Sequence, residues 1–441
     1  MTVAAAPAGR RARSGRVGAG RRWLVAGLFL TPALVLLGAL VVYPIVATVV
    51  ASFKDATGAR FVGADNYRTL FTNHDTLVAV RNNVVWVAVV PAAVTALGLV
   101  FAVLSERLTF QRAFRTVVFM PMAVSLLAGG VIWRVVYEQS PHRGLLNAGL
   151  DAVVRVFHPP GRYPGAIPSE GMAASGKGMV LVQTVCTGDV AQLGLVGLSP
   201  QQVPSSAKPG RVPSTAPGDV TGVVFRDFEP GGGGQRGTLD PGEMGLPAVK
   251  VDLRTTSGKV VAATTTADDG SFAFHGAGSG PFRLAVSGSN FRPAFAGIQW
   301  LGPRLITPSI IVAYIWIWAG FAMMVIAAGL AAIPREILEA ARVDGASEWQ
   351  TFRRVTVPLL APEMGVVFVT LVIYVLKVFD IVLVVAPPSE QNDANVIALE
   401  MWRTAFGARN QGLGSAAAVL LFALVLPVMV LNLRRFRAER A

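Results

Sequence analysis

Residues 335–360 read REILEAARVDGASEWQTFRRVTVPLL, a polar segment between two strongly apolar ones. Pro334 stands where a helix can begin, because the first turn of a helix does not need its N–H. Apolar and charged side chains then alternate at helical spacing, so one face of this helix is apolar and the other is charged. Gly345 is a favourable stop signal. The pattern predicts a short amphipathic helix that ends at a tight turn.

A second short helix is predicted directly after that turn. Ser347 followed by Gln350 has the spacing of a capping box, in which each residue satisfies a backbone N–H of the other. Pro358 is expected to end this helix, because proline lacks the N–H that would continue it. Together the two helices form a helix–turn–helix that is expected to lie across one face of a membrane.

The membrane is indicated by the composition of the whole chain. Of the 441 residues 53% are hydrophobic and only 15% are charged, which is typical of a polytopic membrane protein. The formal charge of +13 does not indicate nucleic-acid binding, because the arginines cluster beside apolar runs, where they set topology. The chain has a single cysteine, Cys186, which excludes an intrachain disulfide and disfavours a cysteine-based metal site.

Six apolar runs are long enough to cross a bilayer of ~30 Å, so the predicted fold is an all-α membrane protein with six spans. The runs are 23–50, 82–104, 115–137, 306–333, 363–386 and 414–432. Residues 1–22 are predicted to be a disordered tail. Spans one to three fall in 23–150, and spans four to six fall in 298–441.

The orientation follows from the basic residues between the spans. The tails and short connections on one side of the membrane carry 17 Lys and Arg residues, and the short connections on the other side carry 6, without the long insertion. Because positive loops stay inside, both termini and the 335–360 loop are predicted to be cytoplasmic.

An insertion of nearly 150 residues, 151–297, is then expected outside the cytoplasm, between the third and fourth spans. Residues 159–218 are rich in turn formers and are predicted to be loop-rich and partly disordered. Residues 219–290 contain short alternating runs, such as Val249, Val251 and Leu253, which predict a small β-sandwich.

No nucleotide site is predicted in this chain. Residues 171–178, GMAASGKG, nearly form a phosphate-binding loop, but a glycine follows the lysine where Ser or Thr would hold magnesium. The four histidines lack ligand spacing, so neither a metal site nor an enzyme is predicted.

The 335–360 segment resembles the EAA loop of ABC importer permeases. Members of this family fold as bundles of membrane helices, and a separate ATPase drives them. The likeness rests on Glu339-Ala340-Ala341, Asp344-Gly345-Ala346 and Val355-Thr356-Val357-Pro358. It implies that the loop couples to the ATPase through Glu339, Ala340, Ala341, Asp344, Gly345 and Pro358. Short strings at 376–382, 395–402 and 432–437 resemble the α-glucoside subgroup of the carbohydrate-importing permeases.

The resemblance also implies the partners and the location. It implies a second permease, an ATPase dimer and an extracytoplasmic solute-binding protein, with the chain embedded in the lipid of the cytoplasmic membrane and no nucleic acid bound. ATP and magnesium would bind at the ATPase, and no cofactor at this chain.

Ionisable residues inside predicted spans are functional candidates. Lys377 and Asp380 are three residues apart in the fifth span and are expected to share a helical face. If the cargo is a sugar, aromatic rings would complete its pathway, and the candidates are Tyr374, Trp316 and Trp318. A Lys–Asp pair that only holds helices together, or a snorkelling lysine, explains the same residues equally well.

The string from Gly222 to Gly270 resembles the B-type repeats of bacterial surface adhesins, which often hold calcium. Four oxygen donors are weak calcium candidates by this resemblance: Asp227, Asp240, Glu243 and Asp269. The loop at 231–236 lacks the acids of those repeats, and a solvated loop rim is the alternative. A different function also stays open, namely a membrane-anchored envelope sensor or scaffold that displays the sandwich. Export is disfavoured by the EAA string.

Overall fold

A computed structural model describes residues 17–228, 232 and 234–438. It divides into two compact units, a helical unit up to Arg134 and from Trp300, and a β unit, Val135–Gln299. Most of the predicted disordered tail lies outside the described residues. Its last part is not disordered, because a helix begins at Val17.

The helical unit consists of helices joined by short turns. They are α1 (Val17–Leu37), α2 (Tyr43–Ala51), α3 (Asp65–Thr72), α4 (His74–Arg107), α5 (Gln111–Ala123) and α6 (Leu126–Val136) before the β unit. After a first helix of the β unit, α7 (Leu145–Phe157), the helical unit resumes with α8 (Ile306–Ala332), α9 (Arg335–Val343), α10 (Glu348–Thr351), α11 (Val357–Leu359), α12 (Ala361–Leu376), α13 (Asp380–Val385), α14 (Ile397–Trp402) and α15 (Gln411–Ala438).

Among the described residues, three helical stretches are long and apolar enough to cross a membrane: Gly27–Ala51, His74–Glu106 and Ile306–Ala332. Two pairs of bent helices raise the number to five if each pair is one span. The apolar part of α15, Gln411–Pro427, is shorter. The helices therefore fit an integral membrane protein, and the number of six remains a prediction.

Helix α8 forms the core of the helical unit, with buried residues around its whole circumference. Two glycines allow close helix contacts. A Cβ atom added at Gly98 in α4 would stand 2.4 Å from the Cβ of Ala322, and one added at Gly320 would stand 2.4 Å from the carbonyl oxygen of Val118 in α5. Such contacts between small residues are a common way to pack helices in lipid.

The third apolar run is not one straight helix. It breaks between α5 and α6 with a bend of 101°. Pro121 in the last turn of α5 has no N–H to continue the helix. Val124 is extended, and the hydroxyl of Ser125 accepts a hydrogen bond from the N–H of Ala128 at the start of α6 (3.2 Å).

The fifth run is also broken, which corrects one prediction. Helix α12 ends at Leu376, and Phe379 has non-helical dihedral angles (φ −145°, ψ −64°) before α13 begins at Asp380. Lys377 and Asp380 therefore do not share a face of one continuous helix. The spacing rule failed because it assumes unbroken helical geometry.

Pro358 does not end a helix, contrary to prediction. A π-helical turn, Phe352–Thr356, precedes it, and the N–H of Val357 bonds to the carbonyl of Phe352, five residues back. The wider turn accommodates the proline, and the helical path continues to Leu359. The chain then bends by 62° into α12.

The described residues of the β unit form nine strands in two sheets. The strands are β1 (Ile167–Pro168), β2 (Met172–Ser175), β3 (Gly178–Leu181), β4 (Val190–Val196), β5 (Val220–Arg226), β6 (Lys250–Thr255), β7 (Val260–Thr265), β8 (Ser271–Phe274) and β9 (Phe282–Val286). One sheet has the order β1-β4-β5-β8, and the other has the order β2-β3-β9-β6-β7. All pairs are antiparallel except β4 with β5.

Both sheets contribute to one hydrophobic core, as the predicted sandwich requires. Leu193, Val224 and Phe272 come from the first sheet, and Leu253 and Leu284 come from the second. Residues 159–218, predicted to be loop-rich, also contain β1 to β4, which were not predicted. β2 and β3 form a local hairpin, but β3 joins the rest of its sheet through β9, about a hundred residues later, so a local window does not show that pairing.

Candidate functional site

The end of α9 is fixed by a Schellman motif. Gly345 has φ +81°, a conformation that glycine adopts without strain. Its N–H bonds to the carbonyl of Arg342 (3.0 Å), and the N–H of Ala346 bonds to the carbonyl of Ala341 (3.0 Å). The predicted stop at Gly345 is therefore present with its full hydrogen-bond pattern.

The predicted capping box of α10 is also present. The amide oxygen of Gln350 accepts from the N–H of Ser347 (2.8 Å), and the hydroxyl of Ser347 accepts from the N–H of Gln350 (3.3 Å). The guanidinium of Arg342 contacts the carboxylate of Glu348 at 3.1 Å and so links α9 to α10. The two helices and their turn form one defined element, which we call the hairpin (residues 335–351).

The hairpin exposes its apolar side chains. Val343 is 87% exposed and Trp349 is 66% exposed, and no residue of α9 is buried. Of the predicted coupling residues, Glu339, Ala340, Asp344, Gly345 and Pro358 are exposed, and Ala341 is half-buried. Exposed apolar side chains grouped on a rigid element are typical of a surface that docks another protein.

Three of the predicted pathway residues lie together. The rings of Trp318 in α8 and Tyr374 in α12 are stacked, with centroids 4.9 Å apart and planes inclined by 30°. The ammonium group of Lys377 lies 5.8 Å from the centroid of the Tyr374 ring. We call Trp318, Tyr374 and Lys377 the aromatic platform.

The platform packs against other aromatic rings on one side and is exposed on the other. Tyr314 stacks on Trp318 with centroids 5.8 Å apart, and Trp86 packs edge-on against Tyr314. Tyr374 is 44% exposed, and Lys377 is exposed. The indole N–H of Trp318 is buried without a hydrogen-bond partner, so an unused donor stands within the stack.

The other two candidates lie apart from the platform. Trp316 packs against Trp133 with ring centroids 5.7 Å apart, because two residues along a helix turn the side chain to nearly the opposite face. Asp380 is exposed at the start of α13, and no ion pair joins it to Lys377. The alternative of a helix-holding Lys–Asp pair therefore has no contact to support it.

A buried polar cluster was missed by the sequence analysis. The amide of Asn82 in α4 donates to the carbonyls of Asp393 (2.8 Å) and Asn395 (2.9 Å). Asn83 accepts from the N–H of Ile397 (2.8 Å), and the amide of Asn395 donates to the carboxylate of Glu400 (2.6 Å). The signal was the Asn82–Asn83 pair at the start of an apolar run, where polar side chains need internal partners.

Asn83 also reaches the break in the fifth run. Its amide nitrogen lies 3.4 Å from the carbonyl oxygen of Leu376, the last residue of α12. A carbonyl that has lost its helical partner is thereby satisfied. The cluster therefore holds the chain at Leu376, before the helix break, and again at residues 393–397, after α13.

The calcium candidates are already engaged as hydrogen-bond acceptors. A carboxylate oxygen of Asp227 accepts from Ser169 and from the N–H of Gly237 (2.7 Å), and Asp240 accepts from the N–H of Gln235 (2.7 Å). Asp269 accepts from Ser271. Burial raises the pKa of the Glu243 carboxyl, with a further increase from the charge of Asp227.

In the part of the chain that the structure describes, no three His, Cys, Asp or Glu side chains are grouped as a metal site would require. None of the four acids is fully exposed, and Glu243 is buried, so they do not form the solvated loop rim that was the alternative. Their hydrogen bonds lie within the turns of the β unit.

Comparisons with known proteins identify relatives over nearly the whole chain. Residues 265–436 match the family described as binding-protein-dependent transport system inner membrane component. The osmoprotective compounds uptake permease protein GgtC of Synechocystis sp. is 28% identical over 413 residues, which cover 93% of this chain and 99% of GgtC. The alpha-glucoside transport system permease protein AglF of Rhizobium meliloti is 28% identical over 417 residues, which cover 93% of this chain and 82% of AglF.

The fold is similar to that of a solved transporter. The crystal structure of a bacterial ABC transporter involved in the import of the acidic polysaccharide alginate contains a chain that matches with a TM-score of 0.54 and 16% identity. The match covers 94% of this chain and 96% of that chain. A second structure of an alginate transporter, in complex with an alginate pentasaccharide-bound periplasmic protein, gives a TM-score of 0.53.

Proposed function

The chain belongs to the binding-protein-dependent inner-membrane transport components and is a permease subunit of an ABC importer, and from this we propose that its cargo is a carbohydrate. It is an integral membrane transport subunit and not an enzyme. As such a subunit it works with an ATPase and a substrate-binding protein. A second permease subunit completes the proposed assembly.

The proposed topology has six spans, with both termini and the hairpin in the cytoplasm. The long apolar helices and the two bent pairs support it, as do the 17 basic residues in the tails and short connections on one side against 6 in the short connections on the other. The β unit then stands outside the cytoplasm, between the third and fourth spans. There it can offer a surface to the substrate-binding protein.

The hairpin is proposed to couple transport to ATP hydrolysis. The observation that carries this proposal is its exposed apolar surface, held rigid by the Schellman motif and the capping box. ATP and magnesium bind at the ATPase. When its two subunits close on ATP, the clefts that hold the hairpins move together and the spans rock to face outward.

The conformation of Gly345 allows a matched test of this coupling. A Cβ atom at this position would meet nothing within 4 Å, so only the positive φ restricts the residue. Asparagine tolerates this conformation, whereas a β-branched valine is strained by about 1–2 kcal/mol or more. We expect Gly345→Val to abolish most ATP-driven uptake in proteoliposomes, and Gly345→Asn to retain it.

The assembled complex should still form in both variants, which co-purification of the ATPase measures. If Gly345→Val transports at the rate of the unchanged protein, the hairpin does not transmit the movement.

The carbohydrate cargo is supported by two observations. The relative AglF is named for α-glucoside transport, and the aromatic platform offers an exposed aromatic ring and an ammonium group. A sugar presents hydroxyl groups around an apolar ring face, so aromatic faces with nearby donors suit it. A membrane-anchored sensor is not favoured, because the similarity to permeases covers the spans as well as the β unit.

A further inference from the structure

Helix α7 of the β unit exposes its apolar face and buries its polar face, which is the reverse of a helix in a soluble protein. Val156 is 76% exposed and Phe157 is 72% exposed, and Leu145 and Val153 are exposed as well. Asn147 is fully buried, and Asp151 is buried. A helix on a water-soluble domain normally buries its apolar face and exposes its polar one.

The two kinds of residue occupy opposite faces. At 100° per residue, Leu145, Val153 and Val156 lie within one stripe, which also contains Gly149 and Ala152. We call this the apolar stripe of α7. Asn147, Asp151 and Arg155 follow at intervals of four residues on the opposite side, where the carboxylate of Asp151 contacts Arg155 at 2.7 Å.

Buried hydrogen bonds explain why the polar face turns inward. The amide of Asn147 donates to the carbonyls of Glu138 and Ile298 (3.0 Å each), and its oxygen accepts from the N–H of Ile298 (2.8 Å). Asn147 therefore ties α7 to both chain segments that enter and leave the β unit. With this face fixed, the apolar stripe stays exposed and no described residue of the β unit covers it.

The chain connections indicate what covers the stripe. Glu138 follows the end of the apolar helix α6 at Val136 by two residues, and Ile298 precedes the start of α8 at Ile306 by eight. Asn147 therefore bonds α7 to residues that are near the end of α6 and the start of α8 in sequence. The stripe consists of aliphatic side chains and is continued by Phe157, which suits acyl chains and has little that would select a specific protein.

From this we propose that α7 lies flat in the membrane interface, with its apolar stripe in the lipid, on the side at which the third and fourth spans are connected. Its 13 residues measure about 20 Å, too short to cross a bilayer of about 30 Å. Arg155, on the polar side of α7 and half-exposed, extends its charged end towards the headgroups. The helix anchors the base of the β unit to the lipid surface.

The test measures the surroundings of single positions by spin labelling. Cys186 is first changed to Ser, and Val156→Cys carries a nitroxide in the assembled importer in nanodiscs of phosphatidylcholine and phosphatidylglycerol. Oxygen partitions into lipid and a nickel chelate stays in water. We expect the Val156 label to relax more with oxygen than with nickel, and labels at 152–157 to follow a helical period.

Val261→Cys is the matched control, because it also replaces an exposed valine of the β unit. Val261 lies in strand β7 and is 50% exposed. Its label should respond in the opposite way, more to nickel than to oxygen. A Val156 label as accessible to nickel as the Val261 label would overturn the proposal, because the stripe would then face water.

A Val156 label that neither reagent reaches would overturn it equally, because a protein would then cover the stripe. The measurement does not depend on the cargo or on coupling. A failure here is therefore distinct from a failure of the proposed transport function, which uptake by the same preparation reports.

Discussion

Tyr374 shows how one side chain joins the core of the helical unit to its exposed surface. One face of its ring stacks on Trp318, whose own ring is supported by Tyr314. Composition and position in a span were sufficient to select Tyr374, Trp318 and Lys377 as candidates. They were not sufficient to separate these three from Trp316 and Asp380, because helical direction and a helix break decide which side chains meet.

The platform leads to a prediction about cargo affinity. Tyr374→Ala removes one aromatic face, which is worth about 1–1.5 kcal/mol, so the KM for uptake of an α-glucoside should rise roughly tenfold. Tyr374→Phe keeps the ring and should leave KM nearly unchanged. The measurement is initial uptake of a labelled α-linked disaccharide into proteoliposomes. An unchanged KM for the alanine variant would place the cargo pathway elsewhere.

At the scale of elements, the sequence predicted helix ends well where a local signal exists. The stop at Gly345 and the capping box at Ser347 were found as predicted, because caps depend on residues a few positions apart. The breaks at Val124 and at 377–379 were not predicted. The first has local causes in Pro121 and Ser125 that were not used for the prediction. The second involves Asn83, which comes from a distant helix and satisfies the carbonyl freed at Leu376.

The buried asparagine cluster gives a prediction about stability. Asn82→Ala removes the donor of the Asn395 carbonyl, whereas the Asp393 carbonyl keeps a hydrogen bond from the Thr307 hydroxyl (3.4 Å). One unsatisfied buried group costs about 1–3 kcal/mol. Thermal unfolding of the purified chain in detergent should shift to a clearly lower temperature. Val84→Ala, at an exposed position of the same helix, is the matched control and should change it little. Equal shifts would show that the cluster contributes no specific stability.

At the scale of the whole molecule, the chain combines a helical unit and a β unit. Composition predicted the first, because long apolar runs are a strong signal. The second was predicted only in part. Residues 219–290 show clear alternation, whereas β1 to β3 are only two to four residues long, and β3 and β4 pair with strands much later in the chain.

Two units with separate cores should respond separately to core mutations. Leu253 is fully buried between the sheets, so Leu253→Ala should destabilise the β unit by about 2–5 kcal/mol. Calorimetry of the full chain should show one transition move while the other stays. Val261→Ala removes methyl groups from an exposed position of the same sheet and should move neither. If Leu253→Ala shifts both transitions together, the two units unfold cooperatively.

The strand order of the second sheet has a consequence for biogenesis. Strand β9 lies between β3 and β6, yet it is the last strand that the ribosome produces. Until Val286 has been synthesised, β3 and β6 both present unpaired edges, which other chains or chaperones can bind. The sheet can therefore close only about twenty residues before α8 is made. In the proposed topology, secretion of the β unit and insertion of the next span are in this way linked in time.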